Sequence, residues 1–187
     1  IDGNETNETD SGLENNQNPL MGDPERFRMP RGEFTKYINS GGKSRGLGRR
    51  AISHYIKQSL GGSSNATHRM GAARSSSARL LNIAVVYASG GAQAVERYFS
   101  IENLSNKTAS EAFIAITDFI CPDGGLQDEG IARAAYISAI EETPEIAEIR
   151  FVDLTSEQIM VIVERTMANA IFNRIINDIG NKIILLP

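Results

Sequence analysis

Four places along the chain carry residue types whose spacing could do chemistry. Ser40-Gly41-Gly42-Lys43-Ser44 ends like a phosphate-binding loop, in which backbone amides and a lysine cradle phosphates. Such a loop needs a first glycine at position 37 and a strand before it. Position 37 is Tyr37, inside a helical pattern, so no nucleotide loop is expected. Gly46-Leu47-Gly48-Arg49-Arg50-Ala51 imitates a dinucleotide fingerprint but lacks the same strand and the downstream acidic residue. Ser40 and Lys43 also have the Ser-x-x-Lys spacing of some acyl-transfer enzymes. No companion motif follows, and the two residues read as a helix end followed by a basic turn. A thiol nucleophile needs a histidine beside it. The chain has one cysteine, Cys121, and two histidines, His54 and His68, both far from it in sequence. Cys121 is expected as a small buried apolar residue, with His54 on the polar side of its helix. Asp123, Asp128 and Glu129 lack the regular alternation of a calcium loop. Asp128 instead suits the positive end of the helix that follows it. No catalytic residue, no metal ligand and no cofactor is therefore expected.

What remains is a basic strip. The net charge of -4 over 187 residues hides three blocks: -7 for residues 1–25, +11 for residues 26–79 and -8 for residues 80–187. In the middle block Glu33 is the only acid. Lys43, Arg45, Arg49, Arg50, Lys57, Arg69, Arg74 and Arg79 form the candidate binding face. Three uses stay open for it: an acidic partner protein, the phosphates of a nucleic acid or nucleotide, or the chain's own acidic second half. Aromatic side chains for stacking on single strands are sparse, with only Tyr37 and Tyr55 nearby.

The elements that would position these residues are helical. Phe34, Tyr37 and Ile38, then Ile52, Tyr55, Ile56 and Leu60, follow the i, i+3, i+4 spacing of helices, each series closed by a glycine pair. A short helical turn over 65–70 leads to a helix over 75–88, with Leu80, Leu81, Ile83, Ala84 and Tyr87 inward and Gly90-Gly91 at its end. Thr108-Ala109-Ser110-Glu111 is a capping box opening a helix to Cys121, with Phe113, Ile114, Ile116 and Ile120 inward. A helix over 127–142 buries Ile131, Ala134, Ala135, Ile137 and Ile140. Pro144 suits a first helical position. Thr155-Ser156-Glu157-Gln158, a second capping box, opens the longest helix, with Ile159, Ile162, Val163, Met167, Ala170, Ile171, Ile175 and Ile179 inward. The alternation of a strand is absent throughout. The fold expected is mainly α, an irregular or orthogonal multi-helix bundle. Residues 33–187 are expected to form a single helical domain. Residues 1–32 have scattered apolar side chains and three prolines, and are expected to be a disordered acidic linker.

One cysteine excludes a disulfide framework and points to a reducing cytosol. No apolar run reaches the ~18 residues that span a bilayer, and no signal region opens the chain. The expected location is cytoplasmic, with no membrane partner.

In order along the chain, Arg26-Phe27, Phe34-Thr35-Lys36-Tyr37, Ser40-Gly41-Gly42, Ala51-Ile52-Ser53-His54-Tyr55, Gly61-Gly62-Ser63, Asn65-Ala66, Arg69-Met70-Gly71 and Cys121-Pro122-Asp123-Gly124-Gly125 carry a resemblance. Together they resemble the B component of the Qat anti-phage defence system, QatB, over roughly residues 26–180. The resemblance implies a bacterial defence protein without catalytic motif, encoded beside an ATPase, a QueC-like enzyme (QatC) and a TatD-like DNase. It implies docking to the QueC-like enzyme, and service as the protein substrate to whose amino terminus that enzyme attaches a 7-deazaguanine-type group. The family's glycine-rich amino terminus is not among these residues, so none of them is expected to be the modified position. The alternative is a nucleic-acid-binding sensor that uses the basic region 43–79.

Overall fold

The computed structural model describes residues 24–122 and 124–180. Most of the expected acidic linker lies outside the described residues, but its boundary at residue 32 does not hold. A 3-10 turn spans Pro24–Phe27 and the first helix, α1, spans Arg28–Asn39. Phe27 and Pro30 are buried there. Pro30 is one of the three prolines of the expected linker. It sits in the first turn, where a backbone N–H has no helical acceptor and its loss costs little.

Helix α2 spans Arg45–His54 and is capped by Ser44, whose Oγ accepts from the Leu47 amide at 3.4 Å. It runs into a π-helical turn over Tyr55–Ser59. Gly61 and Gly62 follow with φ of 75° and 110°, which L side chains rarely adopt. Helix α3 covers Ser63–Arg69 and α4 covers Gly71–Phe99. Helix α4 is not straight: Gly90 and Gly91 have non-helical torsions. Asn82 Nδ2 nevertheless donates to Tyr98 Oη at 2.9 Å. Sixteen residues of straight helix would rise about 24 Å, so the two arms must fold back on each other at the glycine pair. The second arm, with Ala92 and Val95 buried, has no counterpart in the sequence expectation.

Helix α5 (Ala109–Ala115) and helix α6 (Thr117–Ile120) break at Ile116, where one continuous helix was expected. Helix α7 spans Gln127–Glu141, α8 spans Pro144–Ala147 with the proline in its first turn, and α9 spans Ser156–Ile179. Both expected capping boxes form. Glu111 N donates to Thr108 Oγ1 at 3.2 Å and Thr108 N to Glu111 Oε2 at 3.0 Å. Thr155 and Gln158 repeat the pattern at 3.2 and 2.9 Å. Among the described residues there is no strand, only the isolated bridge Thr108–Arg150. The fold is mainly α, an irregular bundle.

Helix α9 is the spine. Its amino-terminal half joins the larger core through Ile159 and Ile162, with Leu80, Ile83, Phe113, Ile120, Tyr136 and Phe151. Tyr136 Oη donates to the Phe113 carbonyl at 2.8 Å and Tyr87 Oη to the Phe151 carbonyl at 2.8 Å, so each buried hydroxyl is satisfied. The carboxy-terminal half of α9 meets the basic helices through Ile175 and Ile179, which pack with Phe27, Phe34, Ala51, Tyr55 and Leu60. A seam of Ala73, Ala132, Ala135 and Ala170 lets α4, α7 and α9 approach closely. Four residues expected inward are exposed instead: Leu81, Ile114, Ala134 and Ile171.

Candidate functional site

The eight basic residues named from sequence do not share one surface. Lys43 is exposed in the turn after α1, and Arg45, Arg49 and Arg50 are exposed on α2. Arg45 and Arg49 lie on the same stripe of α2 as Ile52, at i, i+4 and i+7. Arg50 faces about 100° away from Arg49. Lys57 is exposed in the π turn. Arg74 is exposed at the start of α4. Arg79 lies about 140° round that helix from Arg74, and its Nη1 donates to the Ile120 carbonyl at 3.2 Å. Glu33, the only acid of the basic block, is buried; its Oε1 accepts from Lys36 Nζ at 2.9 Å. That hydrogen bond holds the Glu33 carboxyl below its usual range, with nearby Arg50 and His54 adding to the effect.

Arg69 turns inward and joins a buried ionic cluster. Its Nη2 lies 3.5 Å from Asp178 Oδ1. Asp178 also faces Arg174 Nε at 3.4 Å, and its Oδ2 accepts from Tyr55 Oη at 2.6 Å. Arg174, with its side chain 5% exposed, reaches Asp128 on α7 through Nη1. Asp128 is thus an ion-pair partner of α9, a role its position at a helix start did not disclose. Burial disfavours the Arg174 charge, but Asp178 and Asp128 outweigh it and raise its pKa. Burial, then the hydrogen bond to Asp178, pushes the Tyr55 hydroxyl well above its ordinary value. The cluster ties the basic block to the acidic one, so part of the basic strip serves the fold.

Above this cluster lies an open groove of about 520 Å3, walled by Ile52, Ile56, Met70, Met167, Ile171 and Ile175. Arg69, Arg74 and Arg174 are its charged lining residues, and among the described residues no carboxylate lines it. Two guanidinium atoms there, Nη1 of Arg69 and Nε of Arg174, are buried without a hydrogen-bond partner among the described residues. Sequence reasoning placed Met167 and Ile171 in the core and so missed the groove. The available signal was the width of the α9 apolar arc, which exceeds what one core can cover.

The nucleophile candidates are held in other roles. Ser40 Oγ donates to the Tyr37 carbonyl at 2.6 Å at the end of α1. Cys121 is 2% exposed, as expected, and burial pushes its thiol up despite nearby Ser76, Arg133 and Arg79. A hollow of about 370 Å3 beside it is lined by Ser76, Arg79, Asp128 and Glu129 among others, with no histidine among the described lining residues. Glu129 Oε2 accepts from the Leu126 amide at 3.1 Å and so caps α7. Asp123 lies outside the described residues. Among the described residues no group of three or more His, Cys, Asp or Glu is placed to hold a metal ion. No helix among them is long and apolar enough to cross a membrane.

A family model described as Qat anti-phage system associated protein QatB matches residues 61–187, more than half of the chain. No curated protein and no solved structure matches the chain.

Proposed function

Because the chain belongs to the QatB family of Qat anti-phage system associated proteins, we propose that it serves that defence system by contact rather than by catalysis. Its helical body docks the QueC-like enzyme of the system, and its amino-terminal segment is presented to that enzyme for modification with a 7-deazaguanine-type group. The ATPase and the TatD-like DNase are further partners within the same system, and the bacterial cytoplasm is the compartment this role requires.

The observation that carries the docking reading is the exposed strip of Lys43, Arg45 and Arg49 running toward an apolar groove with no carboxylate among its described lining residues. Cations beside uncovered apolar surface are what an acidic partner surface complements. The non-catalytic reading is supported by the state of the nucleophile candidates. The Ser40 hydroxyl is bonded to a carbonyl, and the Cys121 thiol is buried, which pushes its pKa up.

A nucleic-acid sensor using the same cations is the rival reading. It is disfavoured by the aromatics: Tyr55 is buried, and a Cβ at Gly48 would lie 3.1 Å from the Tyr37 ring, so that ring packs against α2. Tyr55 therefore offers no face for a base, and one side of the Tyr37 ring is taken by α2.

The test is co-expression of the full-length protein with and without the QueC-like enzyme, followed by co-purification and intact mass. The expected result is co-elution together with a mass increase only when the enzyme is present. An unchanged mass overturns the substrate role. Absence of co-elution overturns docking, and a gel shift with mixed nucleic acids under those conditions would install the sensor reading.

A further inference from the structure

We propose that the groove between the π turn of Tyr55–Ser59 and α9 receives an acidic amphipathic helix of a partner protein. This deepens the docking reading above and rests on it only for the partner's identity.

Length, wall chemistry and charge point to that occupant. From Met167 to Ile175 the groove follows eight residues of α9, a rise of about 12 Å. That is two helical turns, the span of three anchors at i, i+4 and i+7. The opposite wall is helical too, and among the described residues no sheet edge exists to which an extended peptide could add. Ile52 and Ile171, on facing walls, stand 44% and 46% exposed in the free protein. Burying their remaining apolar surface favours association.

Charge then selects the sign of the guest. Arg74 is exposed on the rim and makes no ion pair among the described residues. Arg45 and Arg49 extend the Ile52 stripe beyond the groove with two more cations. Among the described residues no carboxylate lines the groove to oppose a guest's acids, whereas a basic guest would meet like charges along the rim. On the floor, Arg69 Nη1 retains an unused donor.

Two fluorescein-labelled synthetic peptides of equal length test this, each with leucines at i, i+4 and i+7. One carries glutamate and the other lysine at the remaining positions, and both are titrated into the full chain by fluorescence anisotropy. The acidic peptide should bind at least tenfold more tightly than the basic one. Ile171→Glu and Arg74→Glu, both at exposed positions, should each weaken it about tenfold, while Val85→Glu, on exposed surface outside the groove, should leave it unchanged. Equal binding of the two peptides, or binding indifferent to Ile171→Glu, overturns the proposal. So does a dimer by light scattering that Ile171→Glu dissolves, because the groove would then belong to a second copy.

The two readings fail separately. If the QueC-like enzyme co-elutes equally with the native chain and with Ile171→Glu, docking stands and the groove proposal falls. If the acidic peptide binds as stated while the enzyme does not co-elute, the groove proposal stands and the enzyme is not its partner.

Discussion

Tyr55 carries the link between the two charged halves at the scale of one residue. Its hydroxyl donates to Asp178, which Arg69 and Arg174 flank. Removing a hydrogen bond to a charged acceptor typically costs about 2 kcal/mol, so Tyr55→Phe should lower stability by that amount in urea denaturation near pH 7. The pH dependence has a definite sign. Burial and Asp178 raise the folded-state pKa of Tyr55 above the ordinary tyrosine value of about 10. Its stabilising effect is therefore complete below about pH 10 and is lost as pH rises further, because only the unfolded chain releases the proton there. Tyr55→Phe should lose less stability than the native chain between about pH 9 and 11; parallel curves would show that the shift is absent. The i, i+3, i+4 pattern made Tyr55 a core residue, and it is one, but its acceptor lies 123 residues away. Helical spacing identifies which face turns inward and says nothing about what waits there.

Glycine placement governs the elements. Gly91 has φ 65° and ψ -161°, a region open almost only to glycine. A Cβ built there meets nothing within 4 Å, so Gly91→Ala tests the backbone alone. It should cost about 1–3 kcal/mol in thermal or chemical unfolding. A neutral substitution would mean that the two arms of α4 do not need that turn. Capping residues are the local counterpart. Thr155→Ala removes the acceptor for the Gln158 amide and should cost about 1 kcal/mol, read from the same unfolding curves. These features were legible in the sequence because a cap or glycine turn is specified by neighbours two to four residues apart. The break at Ile116 was not, since residues 109–120 keep one helical period and only packing against α4 and α7 decides where it yields. Nor was the exposure of Leu81, because the neighbouring helices set how much of a stripe is covered.

At the scale of the whole molecule, Arg174 holds α9 to α7 and, through Asp178, to the basic helices. Replacing it leaves Asp178 with the cation of Arg69 and the hydroxyl of Tyr55, and takes from Asp128 its ion-pair partner. Arg174→Ala should cost about 3–5 kcal/mol, the range for breaking a buried pair from one side, when unfolding is followed by circular dichroism. Asp128→Asn should cost less, because the Asp128 side chain is 39% exposed and water replaces part of the interaction. The alternation of charge along the chain becomes intelligible in this light. Arg69 from the basic block is neutralised by Asp178 from the acidic one, while Arg45, Arg49 and Arg74 remain on the surface. By itself the sequence determined the helical class, both capping boxes, the glycine turns, the burial of Cys121 and the residues that resemble QatB, because all of these are local in chain or in composition. Only the tertiary structure decided which cations are paired and which are free, and that two walls from opposite ends of the chain leave a groove between them. Those outcomes depend on contacts across 46 to 123 residues, set by the path of the chain. A charge count weighs a buried arginine and an exposed one alike.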